Sequence, residues 1–330
     1  FYLQGEVKAL ARWIMALPDE EIRLRAGFVL KIAWYLLNSY AHTTQAQLRP
    51  VRAQVERLLL RVEEAVPETE GEQQDPFSPQ HHLLRQRIQL VRLMGDTYEA
   101  EANHDLEQLT LLTQQGMQVS PDDDLFWQMI PLGNAFVYHY TLRGEGALVV
   151  PRLLEMERQA RQSGDRFALL KVKQWLALAS LDAGQLRQVY RESLEGLALL
   201  EHIKGHAHLA GYFSLCLARV FLERNQLDEA RPLLRQAISD AVSWQQVDLV
   251  LWGAIHLAEL EIAAGNLQAA NEVLQEEPFR LLEEKGLYHF WKTRIQVHLW
   301  LAERKIAEAF AWAAQAVLRP DESIQQQTLE

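Results

Sequence analysis

Three histidines, His202, His206 and His208, crowd the stretch "EHIKGHAHLAGY", and neutral imidazole is a common transition-metal ligand. Residues four apart on a continuous helix share a face, so His202 and His206 could in principle reach one ion. Gly205 falls between them at a break between helices, however, and no thiol or acidic ligand recurs at matching spacing nearby. An exposed loop is the better reading, and no metal site is expected. His81 and His82, after a proline-rich loop, have less claim still. Nucleophilic chemistry has no clear footing either. The single cysteine, Cys216, lies in the apolar run "GYFSLCLARVF", where a thiol acts as a small, inert hydrophobe with no partner for an internal disulfide. No GxSxG elbow occurs. Paired carboxylates come in runs such as "PDEEIR" and "SPDDD", which suit helix starts and solvated faces. The chain is read as non-enzymatic.

What does recur is a turn. "DAGQLRQV", "ERNQLDEA", "AAGNLQAA" and "AERKIAEA" centre on Gly184, Asn225, Gly265 and Arg304, which stand 41, 40 and 39 residues apart. "LRGEGALV" at Gly144 lies 40 residues before Gly184. Further copies are read at Gly95 and Gly5, with a degraded one near Tyr40. On both sides of each turn apolar residues follow helical spacing, as in Tyr212, Phe213, Leu215, Cys216 and Val220 before Asn225, then Leu227, Ala230, Leu234 and Ala237 after it. Gly or Asn suits the left-handed backbone that ends a helix, and the acidic pair of "LDEA" suits the start of the next. Each unit is thus a helical hairpin, and about eight units of roughly 40 residues make the chain an all-α solenoid.

The reading treats residues 1–330 as a single helical-repeat domain excised from a longer chain. Residues 66–80, "VPETEGEQQDPFSPQ", are read as a disordered loop poor in apolar residues, and 319–330 as a polar, frayed tail. The balance of 33 basic and 44 acidic residues gives a net charge of −11, which disfavours direct binding to a phosphate backbone. No run reaches the ~18 apolar residues of a membrane span, and no basic-then-apolar leader opens the sequence. A cytoplasmic setting fits these features.

The small residues Ala218, Ala230 and Ala237, with Ala258 and Ala270 in the next unit, resemble in their offsets the tetratricopeptide repeat. The period here is longer than the usual ~34 residues of that repeat. The opening "GEVKALARWIMALPDEEIRLRAGFVLKIAWYLL" resembles the start of the helical repeat domain of MalT-like, large ATP-binding LuxR-type transcriptional regulators. Gly5, Glu6, Leu10, Trp13, Leu17, Pro18, Arg23, Arg25, Leu30, Ala33, Trp34 and Leu36 match its pattern, while Ala26-Gly27 departs from it. The resemblance implies a right-handed tetratricopeptide-like superhelix that senses a small-molecule inducer or a regulatory protein and communicates with neighbouring domains. ATP would bind an upstream domain absent from this chain, which has no GxxxxGK[ST] motif of its own, so no cofactor is expected in this segment. By the tetratricopeptide template, the first helix of each unit lines a groove. Counting back from the turns gives Asn134 and Tyr138; Lys171 and Gln174; Tyr212 and Arg219; Trp252 and Glu259; and Trp291, Arg294 and His298. Trp175, Trp244 and Trp312 are read as packing residues. The alternative function is a stand-alone scaffold that clamps a partner peptide.

Overall fold

The computed structural model describes residues 4–38, 45–66, 78–103, 105–119, 124–202, 209–244, 246–275 and 289–315. Among them are sixteen α-helices and no strand: α1 (Gln4–Met15), α2 (Asp19–Leu24), α3 (Ala26–Asn38), α4 (Gln45–Ala65), α5 (Ser78–Ala102), α6 (Leu106–Met117), α7 (Leu125–Phe136), α8 (Val150–Ser163), α9 (Arg166–Asp182), α10 (Leu186–Glu201), α11 (Ala210–Glu223), α12 (Leu227–Trp244), α13 (Val247–Ala263), α14 (Leu267–Gln275), α15 (His289–Ala302) and α16 (Ile306–Gln315). No described helix is long and apolar enough to cross a membrane. Most of the loop read at 66–80 and all of the tail at 319–330 lie outside the described residues, and α5 already begins at Ser78.

The chain divides into two compact units, Phe1–Pro131 and Leu132–Glu330. In the first, α3 buries Leu30, Ala33, Trp34 and Leu37, and Trp34 meets Phe126 edge to face at 4.8 Å. Arg61 on α4 donates to the carbonyls of Met15 at 3.0 Å and Leu17 at 2.8 Å, supplying donors where α1 runs out of its own. Arg92 on α5 clamps Glu56 and Glu63 of α4 at 2.6 and 2.7 Å. The turn read at Gly95 is not formed, because α5 runs straight through it. A methyl group there would lie 3.3 Å from the Arg52 guanidinium and 3.5 Å from Leu37, so close packing of α5 on its neighbours accounts for this glycine.

The second unit follows the 40-residue register closely. Gly144, Gly184, Asn225, Gly265 and Arg304, the five turn centres, all have left-handed backbone, with φ between 59° and 78°. The turns at Gly184, Asn225, Gly265 and Arg304 each close a hairpin whose two helices pack on each other, and successive hairpins pack in turn. The small residues lie where helices approach closely: Ala218, Ala230, Ala237, Ala258 and Ala270 are all fully buried. Around them Leu234, Ile255, Leu260, Ile295 and Leu299 form one continuous core, since no hairpin alone can cover its apolar face.

Between α8, α9 and α10 the core contains ions. Lys173 is 1% exposed, and its ammonium sits 3.0 Å from Glu157, 2.7 Å from Glu192 and 2.7 Å from Glu195. Desolvation opposes its charge, but the three carboxylate hydrogen bonds outweigh it and hold its pKa above the ordinary value. These carboxylates are the only trio among the described residues that could gather on a metal ion, and the lysine already stands among them as their cation.

Candidate functional site

Three successive first helices, α9, α11 and α13, present equivalent positions to the inner side of the second unit. Lys171, Tyr212 and Trp252 each stand 13 residues before their turn centres Gly184, Asn225 and Gly265. Helix α9 is held at its start by the Asp165 carboxylate, which accepts from the Ala168 amide at 2.9 Å. Lys171 follows within two turns. It donates to Gln174 Oε1 at 2.9 Å, and its ammonium lies 5.4 Å from the Trp175 ring centre. Burial pushes its pKa down to about 8. Trp175 stacks on Phe136 at 5.8 Å, and a methyl group at Gly133 would touch the Trp175 ring at 3.3 Å, so the glycine lets the ring lie against α7.

On α11, the Tyr212 hydroxyl donates to Asp248 Oδ2 of α13 at 2.8 Å. Two turns further, Arg219 reaches Glu259 Oε2 at 2.6 Å and Glu223 Oε1 at 2.6 Å, while His256 Nδ1 stands 2.9 Å from the same Glu259 oxygen. The inner face therefore carries fixed charges and hydroxyls between aromatic rings. The Cys216 thiol behind it is buried, and that burial pushes its pKa up to about 12, so it is not a ready nucleophile at neutral pH.

The first hairpin adds a distortion. From Val137 to Leu142 the helix that begins as α7 widens to π geometry, which inserts a residue relative to α-helical spacing. Asp182 at the end of α9 accepts from the Gly146 amide at 2.9 Å and ties down the turn that follows. Tyr140 is re-aimed by this bulge. Its ring stacks on Phe136 at 4.7 Å and meets Trp252 edge to face at 6.0 Å.

Of the positions named from sequence, the structure brings Tyr212 and Trp252 to one face with Lys171 and Gln174, and joins Arg219 to Glu259. Asn134 is buried in α7. Tyr138 is half-buried beside His139, and Tyr140 rather than Tyr138 reaches Trp252. His298 is exposed on α15. The side chains of Trp291 and Arg294 lie outside the described residues, as do His206 and His208. Asp248 and Tyr140 are not among the positions named from sequence, while Trp175, read as a packing residue, does pack on Phe136 and Gly133. Asp248 had a signal, since it precedes Trp252 by one turn on the same face.

In the first unit a cavity of about 310 Å³ is lined by Leu37, Val55, Leu59, Val91, Arg52 and Arg92. Its arginines are already engaged, Arg52 with Asp96 and Glu99, Arg92 with Glu56 and Glu63.

A run of helical hairpins in 40-residue register, with polar and aromatic side chains gathered on the first helices, defines a repeat protein of the tetratricopeptide class. The sequence pattern of the MalT-like TPR region matches residues 97–330, and the chain belongs to that family. Among curated proteins it is similar to the HTH-type transcriptional regulator MalT of Vibrio campbellii, with 33% identity over 26% of this chain and 9% of the relative. It is also similar to the HTH-type transcriptional regulator MalT of Vibrio parahaemolyticus serotype O3:K6, with 24% identity over 59% of this chain and 25% of the relative. The chain spans a quarter or less of the length of these relatives.

Proposed function

We propose that the chain is the effector-sensing segment of a MalT-like LuxR-family transcriptional regulator, with the inner face of the second unit as the binding groove for a small molecule or a regulatory protein. The observation that carries the reading is the convergence on one face of Lys171, Tyr212, Asp248 and the Tyr140 and Trp252 rings, contributed by four different hairpins. Aromatic faces with a few fixed polar groups are what small-ligand sites are built from. The regulator setting is supported by the names of the two relatives.

Such a site is also a natural sensor. An effector touching α9, α11 and α13 together binds best to one spacing of the hairpins, and it shifts the protein toward that arrangement by the difference in its affinity for the two states. Nucleotide hydrolysis and DNA binding then belong to other domains of the regulator, in keeping with the −11 charge of this segment. The segment itself is non-catalytic and works in the cytoplasm.

A thermal-shift screen of the purified chain with sugars, nucleotides, amino acids and short peptides, repeated on Trp252→Ala and Arg219→Ala, tests the reading. A ligand whose shift is lost in Trp252→Ala supports it. Ligands that bind both variants as tightly as the parent place the effector elsewhere.

A further inference from the structure

Two opposite charges face the inner side of the second unit without meeting. Asp248 is only 7% exposed. Its Oδ2 accepts from Tyr212 at 2.8 Å, while its Oδ1 is buried and has no donor. Buried carboxylate oxygens are normally satisfied, and one without a donor is an acceptor that a group from outside the protein can complete. Across α11, Lys171 gives one of its three ammonium donors to Gln174 at 2.9 Å and turns its charge toward the Trp175 ring. It feels the charge of Asp248, yet no ion pair joins the two. Trp175 stands one turn beyond Lys171 on α9, and Trp252 one turn beyond Asp248 on α13, so each charge has an aromatic ring on its own face.

We propose that the space between Lys171 and Asp248 is a subsite for a small zwitterion of the amino-acid type, its carboxylate received by Lys171, its ammonium by Asp248 Oδ1, and its apolar part held against Trp175 and Trp252. This rests on the reading of the inner face as the effector groove. A zwitterion is favoured over a neutral polyol because charge-assisted hydrogen bonds are roughly twice as strong as neutral ones, and neither wall group is held in a direct ion pair. It is favoured over a simple amine or acid because a single charge would leave one wall group unpaired in a desolvated place.

The test is isothermal titration calorimetry on the full chain, with α-amino acids and ω-amino acids as probes. Matched amines, matched carboxylic acids and a trimethylated betaine without N–H donors serve as controls. The expected result is that at least one amino acid binds. Removing either of its charges, or replacing Lys171→Met or Asp248→Asn, then weakens binding by about tenfold or more. Both variants keep the parent's helical circular dichroism, since neither removes a member of a direct ion pair. The proposal is overturned if no amino acid binds the parent, or if binding is unchanged in both variants. A sugar, nucleotide or peptide that is lost in Trp252→Ala but retained in both charge variants overturns the zwitterion and leaves the groove standing. A ligand retained in all three variants overturns the groove as well.

Discussion

The rings of Tyr140 and Trp252 meet edge to face, their centres 6.0 Å apart and their planes at 67°, although two whole hairpins separate them in the chain. The inner face of the second unit is therefore curved tightly enough for side chains three hairpins apart to touch. Replacing both rings by alanine in a double-mutant cycle should give a coupling of about 0.5–1.5 kcal/mol, as for other aromatic pairs. Chemical denaturation of the two single variants and the double variant measures it, and strict additivity would mean the contact is absent in solution.

Lys173 should be among the least replaceable residues. Lys173→Met removes the buried cation from among Glu157, Glu192 and Glu195 and leaves them only the more exposed Arg161 and Arg191, and breaking a buried ion pair from one side costs roughly 3–5 kcal/mol. The same network predicts a pH dependence. Hydrogen bonding to Lys173 holds Glu195 below its ordinary value of 4.5, and Glu157 is likewise lowered despite its desolvation. A carboxylate with a depressed folded pKa stabilises fully above its unfolded pKa and loses that contribution as pH falls. Stability of the parent should thus drop below pH 4.5 more steeply than that of Lys173→Met, as read by thermal melts across an acid series.

For Lys171 the sign is reversed. Burial lowers its pKa from 10.5 to about 8, so the unfolded chain holds the proton more tightly than the folded one. The penalty of the buried charge is fully present below pH 8 and is relieved as pH rises toward 10.5. Lys171→Met, which removes the charge but keeps the length of the side chain, should raise the melting temperature at pH 7 and gain nothing near pH 10.5. A variant less stable than the parent at pH 7 would mean the ammonium has a counter-ion in solution.

The turn centres allow a paired experiment. Arg304 is exposed and sits at φ 60°, a conformation costing a non-glycine residue about 1–2 kcal/mol. Arg304→Gly should therefore stabilise the chain by about 1 kcal/mol, whereas Gly265→Ala, at φ 78°, should destabilise it by a similar amount. Equal and opposite shifts in denaturant midpoint would establish that the repeats share one turn geometry.

The second unit was legible in the sequence because a left-handed turn restricts residue choice, and Gly144, Gly184 and Gly265 advertise it at fixed intervals. Buried alanines did the same for helix contacts, since a larger residue at Ala230 or Ala258 would force helices apart. Gly95 misled, because a glycine that permits close approach within a helix looks identical in sequence to one that ends a helix. The candidate site was half visible. Counting back from the turns found Lys171, Tyr212 and Trp252, whose helices keep ideal periodicity. It chose Tyr138 over Tyr140 because the π-helical residue inserted after Phe136 leaves no mark in composition. Asp248 was missed because an acidic residue in the first turn of a helix has an ordinary explanation in the helix dipole, and only the unpartnered, buried Oδ1 shows that it has more to offer.

The central claim is that the effector binds on the inner face around Trp252. Its most direct test is isothermal titration calorimetry of the ligand found by screening, against the parent, Trp252→Ala, and Arg158→Ala as a control on the exposed surface of α8. The account predicts at least about a tenfold loss of affinity in Trp252→Ala, in line with the loss of a stacked aromatic contact, and none in Arg158→Ala. Unchanged affinity in Trp252→Ala would contradict it.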